Sequence, residues 1–523
     1  MVLQWQLVPT STLLLATLVL PLLSILLLVA AARTCRSSTR TGYRLPPRPP
    51  GLPILGNLHQ MGALPHRSLR DLAGRHGPMM MLRLGTVPTV VVSSADAARD
   101  VLKTHDTDCC SRPDTPGPRR LSYQHNDVAF SPYCEQWRAR RKLLVAEFLS
   151  KRRIQATWHA REAEMGKLVS RLAMASINGR GLVSLEDHVF RYMDGIVGTV
   201  AFGNMYGTEH FAHKEHFHHV IDEAMVVRSS FSAEDYFPNA LGRLVDRLTG
   251  VASLRERVFK EFDAFFEMML GQAKPYNGSC VGLIHVLIGL MKEEHQGSFR
   301  VTRDVVKGLL RAPLNTFIGA VDTGAVTIIW AMAELVRNPH VLNKVQDEIR
   351  TLVGDKEKVQ QEDVTKLKYL KMVVMETLRL HPALPLLVPR ETMRHITVSG
   401  YDVPAKTRIL VNAWAIGRDP AKWDDPEEFI PERFEGEKDV NINRAQFEFL
   451  PFGAGRRMCP GIDMGLATTE FTLANLLYYF DWEFPEGLRS EDMSMEEAGG
   501  LTIHKKTPLL LVPTRYYTSG RTR

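Results

Sequence analysis

Cysteine is scarce in this chain, six in 523 residues with no regular spacing. That excludes a disulfide framework and argues for a reducing compartment, with the adjacent Cys109 and Cys110 read as inert thiols. Acidic side chains are missing from the first 50 residues, which hold five arginines, at 33, 36, 40, 44 and 48. Setting those five aside brings the net charge from +7 to +2, so no basic face for nucleic acid is implied. There is no internal repeat and no second composition regime. Histidines crowd positions 210, 213, 216, 218 and 219 without an H-E-x-x-H pattern, so a solvated helix is expected there and not a metal site. What is present, 45% hydrophobic and 24% charged residues, describes a globular protein with a large core.

Charge is also absent from Leu13 to Ala32. At about 1.5 Å per residue these twenty residues reach roughly 30 Å, enough to cross a hydrocarbon layer. Ala30 to Ala32 resembles a cleavage site, so a signal peptide is the competing reading. It lacks a positive n-region, however, and arginines follow the apolar run at once. A retained anchor with its arginines on the cytosolic side is expected, which places the body of the chain at the cytosolic face of a membrane. The sequon Asn277-Gly278-Ser279 would then stay unglycosylated. Five prolines between Leu45 and Pro53 make a semi-rigid spacer. The expected organisation is an anchor over 1–32, a basic, proline-rich hinge over 33–53 and one catalytic domain over 54–523.

Strand-like runs fall at Met79–Leu84 and Thr89–Val92, and return at Ile396–Val403 and Arg408–Val411. Between about 95 and 380 amphipathic helical patterns dominate, broken near 113–118 and 274–278. The predicted fold is mainly α with a small β subdomain, wrapped around one cofactor. One helix ends at Pro382, and Pro313 is expected either to start another or to distort it.

The most informative segment runs from Pro451 to Gly461. A thiolate at Cys459 needs stabilisation, and Pro460 suits the first turn of a helix whose positive end would supply it. Gly453, Gly455 and Gly461 allow the backbone to turn tightly around a flat ligand. Phe452 can pack on it, and Arg456 or Arg457 can reach an anionic substituent. The set Phe452, Gly455, Arg457, Cys459 and Gly461 fits F-x-x-G-x-R-x-C-x-G in full. In this the chain resembles the cytochrome P-450 family of haem-thiolate monooxygenases.

That resemblance implies haem b as cofactor, with Cys459 as axial ligand of the iron. It implies O2 as co-substrate and NADPH–cytochrome P-450 reductase as electron donor. It aligns Thr316–Gly324 with the helix over the distal face, where Thr323 would hydrogen-bond oxygen and Asp322 would relay protons. Ala320 and Gly324 depart from the family pattern there, Arg311–Pro313 looks inserted, and Arg48 stands in the hinge where glycine is usual. Trp137 and Arg141 match W-x-x-x-R and, with Arg390, would serve the haem propionates. Arg138, Arg140 and Lys142 could instead meet an acidic electron donor. Glu376 and Arg379, with Arg433, would form a buried structural ion network.

By family position, substrate contacts would come from Leu121–Phe130, Ala383–Val388 and Gly499–Thr502, whose apolar residues suit a small hydrophobic or aromatic molecule. The stretches 230–239, 316–320 and 411–420 are similar to grass oxime-metabolising members. They imply an aldoxime substrate taken through a nitrile to a hydroxynitrile. Hydroxylation of another plant metabolite, an electron-independent dehydratase and a divergent haem-binding protein are the alternatives.

Overall fold

The computed structural model describes residues 42–177, 181–203, 223, 231–272, 282–292, 302–436, 447–500 and 502–517; side chains at 177, 304 and 308–318 are not described. The expected anchor, the histidine cluster at 210–219 and the sequon at Asn277 lie outside the described residues.

Helices dominate. Among the longer ones are α1 (Pro65–His76), α2 (Glu135–Leu144), α3 (Trp158–Ile177), α4 (Leu185–Phe202), α5 (Val251–Gln272), α6 (Arg303–Arg337), α7 (Pro339–Val353), α8 (Lys368–Leu380) and α9 (Ile462–Tyr479), and α2, α4, α6, α8 and α9 line the site. The largest sheet holds β1 (Met79–Leu84) and β2 (Val87–Val92), joined at Gly85, together with Arg390–Glu391 and Arg408–Val411. Val90, Val91 and Val92 are fully buried and pair in parallel with Ile409, Leu410 and Val411, so this strand reads as a continuous apolar run. Gly85 has φ +64, and a Cβ there would stand 2.5 Å from the Tyr236 carbonyl oxygen, so only glycine fits the turn.

The long helix α6 is the axis of the core. Thr302 caps it by accepting from the Val305 N–H at 3.2 Å, and α4, α8 and α9 pack around its C-terminal half. Its segment Gly319–Arg337 is long and apolar enough to cross a membrane, yet 72% of it is buried inside the protein. It is a core helix. The helix does not begin at Pro313; it runs unbroken through that residue from Arg303. Tertiary packing along this axis outweighs the local cost of proline, about 3 kcal/mol in a helix interior.

Helix α8 stops where Pro382 requires. It carries Glu376 and Arg379, both almost fully buried. Glu376 receives two 2.7 Å bonds from Arg379, one of 3.3 Å from Arg433 and one of 2.9 Å from the Ile430 N–H. Arg379 spends its remaining N–H groups on the carbonyls of Gly417, Pro426 and Glu428. The three charges tie α8 to the 3-10 turn Pro431–Phe434 and so to the chain leading into the cysteine loop.

Candidate active site

A cavity of about 320 Å3 lies between α6 and the Cys459 loop. Gly319, Ala320, Asp322, Thr323 and Gly324 line it from α6, and Phe452, Gly453, Arg457, Cys459 and Gly461 from the loop. Two motifs more than a hundred residues apart are thereby brought to one space.

The loop is shaped by its backbone. Cys459 N–H donates to the Phe452 carbonyl at 3.0 Å, and Met458 N–H closes the 3-10 turn Gly455–Arg457 at 3.0 Å. Gly455 has φ +70, and a Cβ there would fall 2.3 Å from the Leu102 carbonyl oxygen, so the loop abuts the neighbouring chain with no side chain between. Burial pushes the Cys459 thiol up, opposed by a hydrogen bond from the Gly461 backbone and by the Arg141 charge. One expectation is corrected: α9 starts at Ile462 with Gly461 as N-cap, so Pro460 lies in the preceding turn. Gly461 is not helical (φ −97, ψ 14), and its N–H turns back to the sulfur instead of joining the helix.

Four arginines line the same cavity: Arg112, Arg141, Arg390 and Arg457. Arg141 donates to the Met458 carbonyl at 2.6 Å. Arg390 donates to Asp106 and the Ala454 carbonyl, each at 2.7 Å. Arg457 donates to the carbonyls of Cys110 and Ser131, each at 2.7 Å. Arg112 holds the carbonyls of Val388 at 2.6 Å, Pro389 at 2.8 Å and Ala129 at 3.0 Å. Burial draws Arg457 down to about 10 and lowers Arg112 and Arg141 as well. Asp106 and Asp127 are the acids that act on this group, and Asp106 also holds Arg456. Desolvated cations normally meet matched anions. A flat ligand with a pair of carboxylates would supply them, with Cys459 as its metal ligand, and haem fits that donor set.

Trp137 stands one layer back. Its indole N–H donates to the Val128 carbonyl at 2.9 Å, and its ring carries the Arg457 guanidinium at 3.9 Å. Arg140 turns inward to Asn126, His125 and Ser131 and is buried, so it is unavailable to an electron donor; Arg138 and Lys142 remain exposed. Arg48 reaches the Met81 sulfur at 3.0 Å. Cys109 donates to the carbonyls of Val101 and His105, and burial pushes it up to about 12. It is an inert thiol.

On the facing wall, Thr323 donates its hydroxyl to the Gly319 carbonyl, which leaves its oxygen free to accept. Asp322 is buried, bonded by the Thr502 hydroxyl and by His504 Nε2 at 3.1 Å. Gly324 leaves room that the Met193 methyl group fills, 2.5 Å from where a Cβ would stand. Val128, Ala129 and Phe130, then Ala383, Leu384, Leu387 and Val388, and finally Thr502 also line the cavity. These fall within the three segments expected to contact substrate. Sequence reasoning missed Arg112, and it missed Met193, Ile196 and Val197 on α4. The spacing of those last three marks one helix face but does not distinguish core from cavity.

The family model described as Cytochrome P450 matches residues 46–512. The 4-hydroxyphenylacetaldehyde oxime monooxygenase of Sorghum bicolor is 57% identical over 520 residues, 98% of this chain and 96% of that protein. The 2-methylbutanal oxime monooxygenase of Manihot esculenta is 43% identical over 507 residues, 96% of each chain. A zebra fish cytochrome P450 solved with abiraterone superposes with a TM-score of 0.70 at 24% identity, covering 87% of this chain and all of that one, which shows the fold. With the cysteine loop, the arginine-ringed cavity and these relatives in agreement, the chain belongs to the cytochrome P450 family and is a P450 monooxygenase.

Proposed function

We propose that this monooxygenase takes an aldoxime with a small hydrophobic or aromatic substituent through a nitrile to a hydroxynitrile, drawing electrons from NADPH through a membrane-bound P450 reductase. The carrying observation is the high identity, over almost the whole chain, to a relative named for an aromatic oxime, with a second oxime monooxygenase among the matches. The apolar walls of the cavity suit such a substrate.

Haem ligated by a thiolate supplies the activation of O2 when bound. The chain's own residues divide the remaining work. Cys459 would hold the metal, and Arg112, Arg141, Arg390 and Arg457 would hold the propionates, with Trp137 supporting Arg457. Phe452, Gly455 and Gly461 shape the loop. Val128, Phe130, Leu384 and Val388 exclude water and orient the substrate. Asp322 presents its carboxyl group at the cavity wall as the proton-relay group, and Thr323 offers an acceptor oxygen beside it. Dehydration removes a C–H proton and the oxime hydroxyl as water, with no net redox change. Hydroxylation then consumes O2, two electrons and two protons, placing one oxygen on carbon and releasing the other as water. Glu376, Arg379 and Arg433 keep the geometry and touch neither reactant. Residues 1–32 anchor the chain in the endoplasmic reticulum membrane, 33–53 form the hinge, and 54–523 form the catalytic domain at the cytosolic face.

The test uses microsomes containing the chain and a plant reductase, supplied with NADPH and a panel of aromatic aldoximes. NADPH-dependent hydroxynitrile in the mass spectrum is the expected result. Absence of nitrile and hydroxynitrile, from protein that retains the thiolate-type reduced-CO band, removes the oxime assignment.

A further inference from the structure

Asp322 does not end at the cavity wall. On its far side the carboxylate meets two groups from the C-terminal hairpin, the hydroxyl of Thr502 and the imidazole of His504. Thr502 Oγ1 and His504 Nε2 also lie 2.9 Å apart, so the three polar groups form a closed triangle. Asp322 and Thr502 line the cavity; His504 does not. The His504 side chain keeps 36% of its surface exposed, against 10% for that of Asp322. Among the described residues its Nδ1 has no hydrogen-bond partner. The imidazole is therefore wet at one nitrogen and bonded to the cavity's acid at the other. Phe190 lies parallel to the ring, 9° between planes and 6.0 Å between centroids, and fixes its tilt.

We propose that His504 is the outer station of this enzyme's proton supply, passing protons from solvent to Asp322 and thus to the cavity. The proposal rests on Asp322 serving oxygen activation, but not on the oxime as substrate. His504 touches neither substrate nor haem and acts through Asp322. Each delivery moves one proton and no electrons. Starting as the imidazolium, His504 gives its Nε2 proton to the Asp322 carboxylate and keeps the one on Nδ1; when the side chain rotates Nε2 to its exposed edge, hydronium from solvent reprotonates it, which restores the starting state.

The groups facing His504 suit that task. Asp322 faces it from α6, Glu186 from the start of α4, and Lys505 follows it on its own strand. Glu497 lies on the paired strand opposite Lys505 and is occupied by His66 and Arg67. Burial lowers the imidazole's proton affinity, but Asp322 and Glu186 more than offset this, and the net shift is upward. The ring accordingly stays protonated to a higher pH than an ordinary histidine, and supply through it fails as pH rises through that raised value.

The first test needs no substrate. Full-length holoenzyme is treated with diethyl pyrocarbonate across pH, and modification of the His504 peptide is followed by mass spectrometry. The expected midpoint lies above the ordinary histidine value of about 6.5 and falls in Asp322→Asn. An ordinary midpoint, unmoved by Asp322→Asn, overturns the proposal even if the oxime assignment stands.

The second test measures hydrogen peroxide released per NADPH consumed with a turned-over substrate, between pH 6 and 9. His504→Gln is expected to raise the peroxide fraction several-fold and to flatten its pH dependence. His504→Arg keeps a positive charge beside Asp322 but cannot relay, and it should behave like His504→Gln. Normal coupling in the arginine variant would mean that charge alone matters, and normal coupling in both would mean that His504 carries no protons. Either result overturns the proposal. Haem content is measured for every variant; where one loses haem, the midpoint of the wild-type protein decides.

Discussion

Replacing Glu376 by glutamine removes one negative charge and almost no volume. Glu376 is completely buried and accepts four hydrogen bonds, three of them from the guanidinium groups of Arg379 and Arg433. Arg379, itself without exposed side-chain surface, would be left with a buried charge facing only carbonyl oxygens. Breaking a buried pair by removing one partner costs about 3–5 kcal/mol. A typical domain's entire stability is about 5–15 kcal/mol. With a urea slope of about 3 kcal/mol per molar, the midpoint should fall by roughly 1–1.7 M. The assay is loss of the thiolate-type reduced-CO band across a urea series, because that band reports the cysteine loop to which this network leads. Arg489 and Glu491 provide the control: the same kind of pair, 3.8 Å apart, with 74% and 78% of their side-chain surfaces exposed. Glu491→Gln should cost less than about 1 kcal/mol. If Glu376→Gln shifts the midpoint no more than Glu491→Gln does, the network does not hold the loop and the reasoning fails.

Arg112→Ala should lower the haem-to-protein ratio of the purified enzyme, since three carbonyl contacts and one of the cations lining the cavity are lost together; undiminished haem content would remove Arg112 from the proposed cofactor site. Gly324→Ala places a methyl group against the terminal methyl of Met193, a flexible chain end that can turn aside, and alanine is favoured over glycine in a helix interior by about 1 kcal/mol, so the substitution should be within about 1 kcal/mol of neutral. A loss of more than about 2 kcal/mol in paired urea titrations would mean that Met193 is locked in place and would refute this. Burial pushes Glu470 up to about 7, opposed only by Lys371, so the folded state favours its neutral form. A raised carboxyl value means stability that is present at low pH and lost as pH rises from the ordinary value of about 4.5 through 7. Glu470→Gln should therefore be near neutral at pH 5 and stabilising at pH 8, by at most about 3 kcal/mol at 1.36 per unit; equal stability differences at the two values would refute the burial argument.

What the sequence disclosed depended on how locally each role is written. The cysteine loop was legible because its constraints act within a few residues: Gly453 and Gly455 take positive φ, and Gly461 sends its N–H back to the sulfur two residues before it. Glu376 and Arg379 were legible for the same reason, being one turn apart on α8. The strand-like run at Ile396–Val403 resolves into two paired strands, Ile396–Val398 and Tyr401–Val403. Arg112 carries no such signal, since its contacts at Ala129, Val388 and Pro389 are set by the fold alone. Met193 is similar: a methionine on an apolar helix face reads as core until Gly324 opens opposite it. Pro313 misled in the other direction. Its local cost is a property of one residue, while the burial that overrides it belongs to the rest of α6, where Ile328, Ile329, Trp330 and Met332 are almost wholly enclosed. Each such side chain contributes about 1.5–3 kcal/mol when fully buried. Two of them therefore offset the proline, and the helix continues through it.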